Sequence, residues 1–454
     1  MEIRIDPQAD ALLKRLNGAG FAAYVVGGCV RDSILKRPAH DWDITTDALP
    51  QQLLALFSQE HCVTDGLKHG TVTVIRGGVP YEITSFRADG QYADHRRPES
   101  VRLNVSLQED LARRDFTVNA MAYSPEKGLC DPYGGRFDLE HGILRAVGDA
   151  PRRFEEDALR ILRVLRFSAE LDFVIERETA EAMRAKKALL SYVSAERISA
   201  ELCRMLCGQA VRRVLLAFHD IITEALPELG ACRGAAQRNP YHCYDVYTHS
   251  VYAASYAPPV AALRWAALLH DCGKPFCIST DARGCDHFYG HPEKSAELAR
   301  ECLQRLRCSR ALTEQVCRLI QLHDKPIDAS GRGVRRALSA LGQPLFSELM
   351  RLKRADILAQ SLHGRRRNLQ WLNALEQLAA EEEAAQSCLS LKELPVNGHD
   401  MLALGYRGAE IGAALNRLLG EVLEQQCPCE RTALLQRAEA WRAEKKETGG
   451  EAGV

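Results

Sequence analysis

Strand-like alternation in this chain is confined to its first third, and helical periodicity fills the remainder with no convincing return of a strand pattern. That segregation sets the fold class. It leaves an α+β architecture: a mixed sheet with its helices first, and all-helical parts after it. A chain of 454 residues is too long for one core and predicts about three domains. Breaks in pattern divide it into a sheet-bearing head at 1–145, a helical neck and body at 146–235, a helical bundle at 236–370 and a helical tail region at 371–454.

The head is organised around Tyr24 to Thr46, YVVGGCVRDSILKRPAHDWDITT. It reads as a buried strand, a Gly27-Gly28 turn, a helix carrying Arg31 and Asp32, and a second strand holding Asp41 and Asp43. Side chains two apart on a strand share a face, so the two aspartates are expected to project together while Trp42 turns away. Paired carboxylates repel unless a cation offsets them, and hard oxygen ligands facing a phosphate suit Mg²⁺ better than zinc. Glycines at the turn let the backbone approach a triphosphate, and the helix that follows offers free N–H groups to anionic oxygens. A lone DxD is usually only a turn cap; one preceded by a Gly-Gly turn between two strands points to phosphate and metal.

Further elements are predicted around this stretch. Residues 7–17 read as a helix with Ala9, Leu12, Leu13 and Leu16 on one face, and 50–57 as a helix with proline in its first turn. Thr71–Ile75 and Tyr81–Phe86 alternate on either side of Gly77-Gly78, a hairpin signal. Glu82, on the second of these strands, is either a third carboxylate beside the metal pair or a solvent-facing strand residue. The first half of 87–110 is polar and aperiodic and reads as a mobile loop. In LARRDFTVNAMAY, 111–123, the residues Ala112, Phe116, Ala120 and Tyr123 can face a core, leaving Arg113, Arg114, Asp115 and Asn119 free to work. Asp115 and Asn119, four apart, would share a helix face suited to a sugar hydroxyl pair.

Beyond Gly148, RRFEEDALRILRVLRF at 152–167 predicts one strong helix with arginines at 160, 163 and 166. Asp157 and Arg160, three apart on it, could match the hydrogen-bonding edge of a base, but on the residues alone a plain intrahelical ion pair explains them at lower cost and is preferred. Helices continue over 176–190, 195–206 and 211–225. Next, His249, His270-Asp271, His291, His323 and Asp356 each lie in an apolar helical segment, so that they can converge inside a bundle. Mixed His and Asp ligation suits Mn²⁺, Fe, Ni²⁺ or Zn²⁺, able to activate a water for phosphoester hydrolysis. Asp324, next to His323, is an alternative closing ligand, while His242, His287 and His363 are read as ordinary core or surface histidines. The acidic run Glu381–Glu383 suggests a solvated break, and the final EKKETGGEAGV a disordered end.

Composition narrows the partners. The formal net charge of −1 gives no global basic field, so nucleic acid would have to be gripped by local patches. Sixteen cysteines are scattered without paired CxxC spacing, which indicates reduced thiols. With no signal peptide or long apolar run, a cytoplasmic protein free of membrane is expected.

In order, VVGGCVRD, DWD, RRDFTVNAMAY, DPYGG, RFEEDALRILRVLRF and SAERISAEL resemble the bacterial class II tRNA nucleotidyltransferases that add CCA to tRNA 3′ ends, with their poly(A) polymerase relatives. The likeness covers roughly residues 20 to 205. The His–Asp series resembles the HD phosphohydrolase domain fused to some of these enzymes, and VNGHDMLALGYRGAEIG is similar to the C-terminal region of such fusions. The resemblance implies that Asp41 and Asp43 bind Mg²⁺ and that Gly27 and Gly28 hold the triphosphate of CTP or ATP. It implies a ribose-selecting role for Asp115 and Asn119, base selection by Asp157 and Arg160 as a protein template, and a nucleotide-binding set that includes Arg31, Arg114 and Arg163. QYADHRRPESV, with Tyr92, Asp94, Arg96 and Arg97, is similar to the flexible loop of enzymes that complete CCA. The leading expectation is metal-dependent addition of CMP, CMP and AMP to tRNA. The alternatives are a poly(A) or A-adding polymerase, and an HD phosphodiesterase or phosphatase as the main activity.

Overall fold

The computed structural model describes residues 3–39, 41–90 and 100–448. It divides into two compact units. The first runs to Gly230 and takes in Pro259–Ala261 and Glu301–Arg310; the second comprises Ala231–Pro258, Ala262–Arg300 and the chain from Ala311 on.

The first unit opens with the helix Pro7–Gly18, capped by the Asp6 carboxylate and burying Ala9, Leu12, Leu13 and Leu16 as the periodicity required. Its strands are β1 (Ala23–Val26), β2 (Ile44–Thr46), β3 (His61–Val63), β4 (Thr71–Arg76), β5 (Val79–Ser85), β6 (Arg87–Asp89), β7 (Val101–Leu103), β8 (Ala122–Ser124) and β9 (Gly128–Cys130). Seven of them form one sheet in the order β3-β4-β5-β2-β1-β8-β9, antiparallel throughout except for the parallel pair β2–β5. The Gly77-Gly78 turn lies at φ 57° and 80°, the left-handed region in which glycine meets no Cβ penalty, and it sets the β4–β5 hairpin predicted from the sequence.

Several expectations change. The polar run after Phe86 is bounded by ordered structure, since β6 and β7 pair as a small antiparallel ladder. Tyr92, Asp94, Arg96 and Arg97 lie outside the described residues. The helix predicted over 152–167 is two helices, Ala150–Glu156 and Leu159–Leu171, separated at Asp157, whose backbone is extended. Helix 211–225 likewise breaks at Phe218. Short strands do reappear: β10 (Ile143–Leu144) pairs with β11 (Val174–Ile175), and β12 (Ser279–Thr280) with β13 (Asp286–His287).

In the second unit the helices Val246–Tyr256, Ala261–Leu269, His291–Arg305, Arg310–Leu322, Gly331–Leu341, Gln343–Ala359 and Leu362–Ala384 follow one another; some of them are shared with the first unit at their ends. Glu381–Glu383 is no break, because it continues the last of these helices, where Glu382 receives a 2.7 Å hydrogen bond from the buried Arg335. The tail has its own small core of Leu394, Val396, Met401, Leu418, Leu434 and Trp441. Its final helix extends to Thr448, so the start of EKKETGGEAGV is helical, and residues 449–454 lie outside the described residues. Every cysteine is a free thiol. Among the described residues no helix is long and apolar enough to cross a membrane.

Candidate active site and metal centre

β1 is buried along its whole length and ends at Val26, where Gly27 (φ 80°, ψ −129°) turns the chain into the helix Gly28–Ile34. This backbone is accessible only to glycine without strain, and a Cβ on Gly27 would stand 2.9 Å from Arg114 Nη1. The turn therefore keeps a guanidinium directly against the backbone. Asp41 and Asp43 precede β2 instead of lying on it. Because β1 turns away at Gly27, the ladder has its last rung at Val26, whose N–H donates to the Asp43 carbonyl at 3.0 Å. Asp41 is exposed and Asp43 half-buried. Glu82 is also exposed, on the neighbouring strand, one position before the Ile44–Ile83 register pair. Burial, then the charges of Glu82 and Asp41, push the Asp43 carboxyl up to about 6 against the pull of Arg114. Crowded carboxylates of this kind fit a hard divalent cation, which would remove the repulsion.

The segment expected to carry Asp115 and Asn119 on one α-helix is instead a loop followed by a single 3₁₀ turn, Thr117–Asn119. The two side chains still meet, with Asn119 Nδ2 donating to Asp115 Oδ1 at 3.1 Å. Arg163 Nε donates to the other Asp115 oxygen at 2.9 Å, and Arg31 Nη1 to Asn119 Oδ1 at 2.7 Å. Burial alone would raise Asp115, but Arg163 and Asn119 outweigh it and hold the carboxyl at about 2. Gly27, Arg31, Arg114, Asp115, Asn119 and Arg163 thus gather around one polar network.

Asp157 and Arg160 do not form the intrahelical pair allowed by their spacing. Asp157 caps Leu159 N at 3.1 Å and accepts from Arg197 Nη2 at 2.9 Å. Arg160 donates to Glu156 at 2.9 Å and to the carbonyls of Arg153 and Arg113 at 3.0 Å each. Arg197 belongs to the SAERISAEL run, where nothing in its neighbourhood along the chain marks it out. Among the described residues its Nη1 is buried with no hydrogen-bond partner, a donor available to a ligand. Only the long-range pairing to Asp157 reveals it.

The second unit brings all six of its predicted residues together. His249 Nε2 lies 2.9 Å from Asp356 Oδ1 and 3.3 Å from His270 Nε2. One oxygen of Asp271 stands 3.2 Å from His270 and 3.5 Å from His249, while the other stands 3.3 Å from His291 and 3.7 Å from His323. Asp271 therefore divides two ligand groups. The Nδ1 atoms of His270, His291 and His323 face the carbonyls of Ala267, Phe288 and Ile320 at 2.8, 2.8 and 2.6 Å. A proton held there leaves each Nε2 lone pair pointing inward, as metal ligation requires. Burial would depress His270, but Asp271 and Asp356 push it up to about 10, which reflects the concentration of negative charge at this centre. Asp324 is exposed and belongs to none of the ligating groups among the described residues. His242, read from sequence as ordinary, is brought within 4.9 Å of the His249 ring. Lys274 stands three residues after Asp271, a spacing that brings the two together; its Nζ is 2.7 Å from Asp271 and 3.3 Å from His242 Nε2. Burial and the Lys274 charge lower His242 to about 3, which keeps it neutral.

A carboxylate-bearing mixed sheet with a glycine turn, followed by helices and a His–Asp bundle, defines a polymerase-type nucleotidyltransferase head joined to an HD segment. Sequence profiles agree: the poly A polymerase head domain matches residues 23–145, the probable RNA and SrmB-binding site of polymerase A residues 172–232, and the HD domain residues 241–361. A CCA-adding enzyme of Limosilactobacillus fermentum is 34% identical over 95% of this chain and 96% of its own. A CCA-adding enzyme of Geobacillus thermodenitrificans is 42% identical over 59% of this chain and 63% of its own. The chain spans 56% to 63% of the length of the first curated relatives it matches. The Bacillus stearothermophilus CCA-adding enzyme in complex with CTP superposes with a TM-score of 0.69 at 26% identity, covering 98% of this chain and 100% of that one. The chain belongs to the CCA-adding enzyme family.

Proposed function

We propose that this protein adds CMP, CMP and AMP to the 3′ end of tRNA from CTP and ATP. The observation that carries the reading is the convergence of Asp41, Asp43 and Glu82 beside the Gly27 turn and Arg114, in a chain alignable to a CCA-adding enzyme over 95% of its length. Asp41 and Asp43, with Glu82 at their side, are the residues that would hold Mg²⁺. When bound, that ion lowers the pKa of the attacking 3′-hydroxyl and neutralises the leaving pyrophosphate. The chain's own groups do the rest. Gly27 and Gly28 admit the triphosphate close to backbone N–H groups, with Arg114 behind the turn. Asp115 and Asn119, fixed by Arg163 and Arg31, present hydrogen-bonding groups to the ribose. Asp157 and Arg160 are anchored separately, so an acceptor and a donor can be offered to a base edge without satisfying each other. A base with the wrong edge would leave buried groups unpaired, the basis of choice between CTP and ATP.

The test is extension of a tRNA transcript lacking CCA, read at single-nucleotide resolution. CTP alone should add two residues and CTP with ATP three; addition of AMP without any CMP would establish an A-adding polymerase in place of this reading.

The six-residue His–Asp centre supports a second activity, hydrolysis of phosphoesters with a divalent transition metal. Asp271 would serve both ligand groups, Lys274 would face the substrate phosphate, and the bound ion would supply an activated water. Hydrolysis of bis-p-nitrophenyl phosphate with Ni²⁺ or Mn²⁺ should disappear in His270→Ala, and persistence there would refute the assignment.

A further inference from the structure

We infer that the β12–β13 hairpin holds a zinc-type divalent ion of its own, through Asp281, Cys285 and His287, outside the HD centre. The argument begins with strand period. Cys285, Asp286 and His287 are consecutive, so the first and third share a face and Asp286 takes the other. Asp286 is buried and fixes the stem: it accepts from Arg238 N at 2.8 Å, from Arg238 Nε at 3.1 Å and from Thr280 Oγ1 at 2.8 Å. Cys285 and His287 are left on the accessible side, only partly buried. The turn completes the set. Asp281 Oδ1 accepts from the backbone N–H groups of Arg283 and Cys285 at 2.9 Å each, which turns Oδ2 toward His287 Nε2 at 3.3 Å. His287 lies parallel to Tyr289, with an interplanar angle of 6° and centroids 5.6 Å apart, and this orients its ring.

The donor atoms of the three residues lie within 4.8 Å of one another. Zinc bonds of ~2.0–2.3 Å in a tetrahedron place ligand atoms ~3.3–3.8 Å apart. The Asp281–His287 separation already meets that requirement, and the Cys285 sulfur has to close by no more than ~1.5 Å, a side-chain rotation. Sγ has only a weak 4.0 Å contact with the Asp286 carbonyl to give up. Thiolate, carboxylate and neutral imidazole together cancel a 2+ charge, and a soft sulfur selects zinc over the hard cations suited to the carboxylate site of the head. The competing charge is Arg283, whose guanidinium reaches Asp281 Oδ2 at 3.6 Å; with 90% of its side chain exposed, it is displaced at little cost. Cys285 and His287 also line a cavity of about 450 Å³ with His242, Lys274 and His291. An ion on the hairpin would therefore cancel the Asp281 charge at the rim of the space in front of the HD centre.

Cobalt distinguishes this site from the HD centre, whose six ligating residues include no sulfur. The full-length protein, stripped with chelator and titrated with Co²⁺, should develop a near-ultraviolet thiolate-to-cobalt charge-transfer band whose final amplitude corresponds to one thiolate-bound ion per chain, beyond whatever cobalt the HD centre takes up. The band should persist in His270→Ala and vanish in Cys285→Ser and in His287→Ala, while Asp281→Asn should weaken Zn²⁺ binding at least tenfold. Absence of the band from the unmodified protein, or its survival in Cys285→Ser through one of the other thiols, would overturn the inference. The side chains substituted on the hairpin are all partly exposed, so folding, followed by circular dichroism, should be unchanged.

Discussion

Asp43 is held in an environment that resists its own charge. Its folded value of about 6 lies above the ordinary 3.8, so the folded state binds that proton more tightly than the unfolded one. Its contribution to stability is therefore largest below pH 4 and is lost as pH rises through 6. Asp43→Asn should raise the melting temperature in chelator at pH 8 and reduce nucleotidyl transfer to background; an unchanged transfer rate would remove Asp43 from the metal-binding set. Asp115 has the opposite sign. Its folded value of about 2 lies below the ordinary 3.8, so the Arg163 pairing stabilises the protein above about pH 4 and that gain fades as pH falls toward 2. Each tenfold loss of proton affinity corresponds to ~1.4 kcal/mol, so the ionised Asp115, net of its burial, contributes roughly 2 kcal/mol at neutral pH. Asp115→Asn should lose about that much in denaturant melts at pH 7 and much less at pH 2.5.

At the scale of elements, the informative feature is the interruption between the helices Ala150–Glu156 and Leu159–Leu171. Little announces it locally: the run from Arg152 to Phe167 contains no glycine or proline, LRILRVLRF keeps its helical period, and only Asp157, whose side chain caps Leu159 N, is a residue type that opens helices. The break is held on one side by that cap and on the other from forty residues away by Arg197, which donates to the Asp157 carboxylate at 2.9 Å. Here lies the boundary between what is legible in the sequence and what is not. The β4–β5 hairpin, the first helix and the HD ligands can be read because period, glycine turns and side-chain chemistry are local properties. Arg197 and His242 acquire their roles only through residues distant in the chain, and Lys274, although it stands three residues from Asp271, is fixed by His242 and Gln237 more than thirty residues back. Arg197→Ala is expected to lower the CTP-to-ATP discrimination in kcat/KM by about tenfold, the scale of one charge-assisted hydrogen bond of ~1.5 kcal/mol. If melting temperature fell while the ratio stayed constant, Arg197 would be a structural anchor alone.

Across the whole molecule, the residues of the two proposed chemistries fall in different units, so the two activities should fail independently. Asp43→Asn is expected to leave phosphoester hydrolysis intact, and His270→Ala to leave tRNA extension intact; loss of both activities in either variant would contradict that separation. The covalent order is less tidy. Glu301–Arg310 belongs to the first unit although it falls inside the segment matched by the HD domain. There Leu303 and Leu306 are buried, Arg305 Nη2 meets Glu228 at 2.8 Å, and Arg307 meets Glu196 at 2.6 Å. A chain ended at residue 235 should therefore melt below the full-length protein, by several degrees for the lost apolar burial alone. The same lacing bears on descent. A recombination event that lifted the HD segment out at its linear limits would carry away part of its neighbour's fold, so the two units are bound to be inherited as one piece.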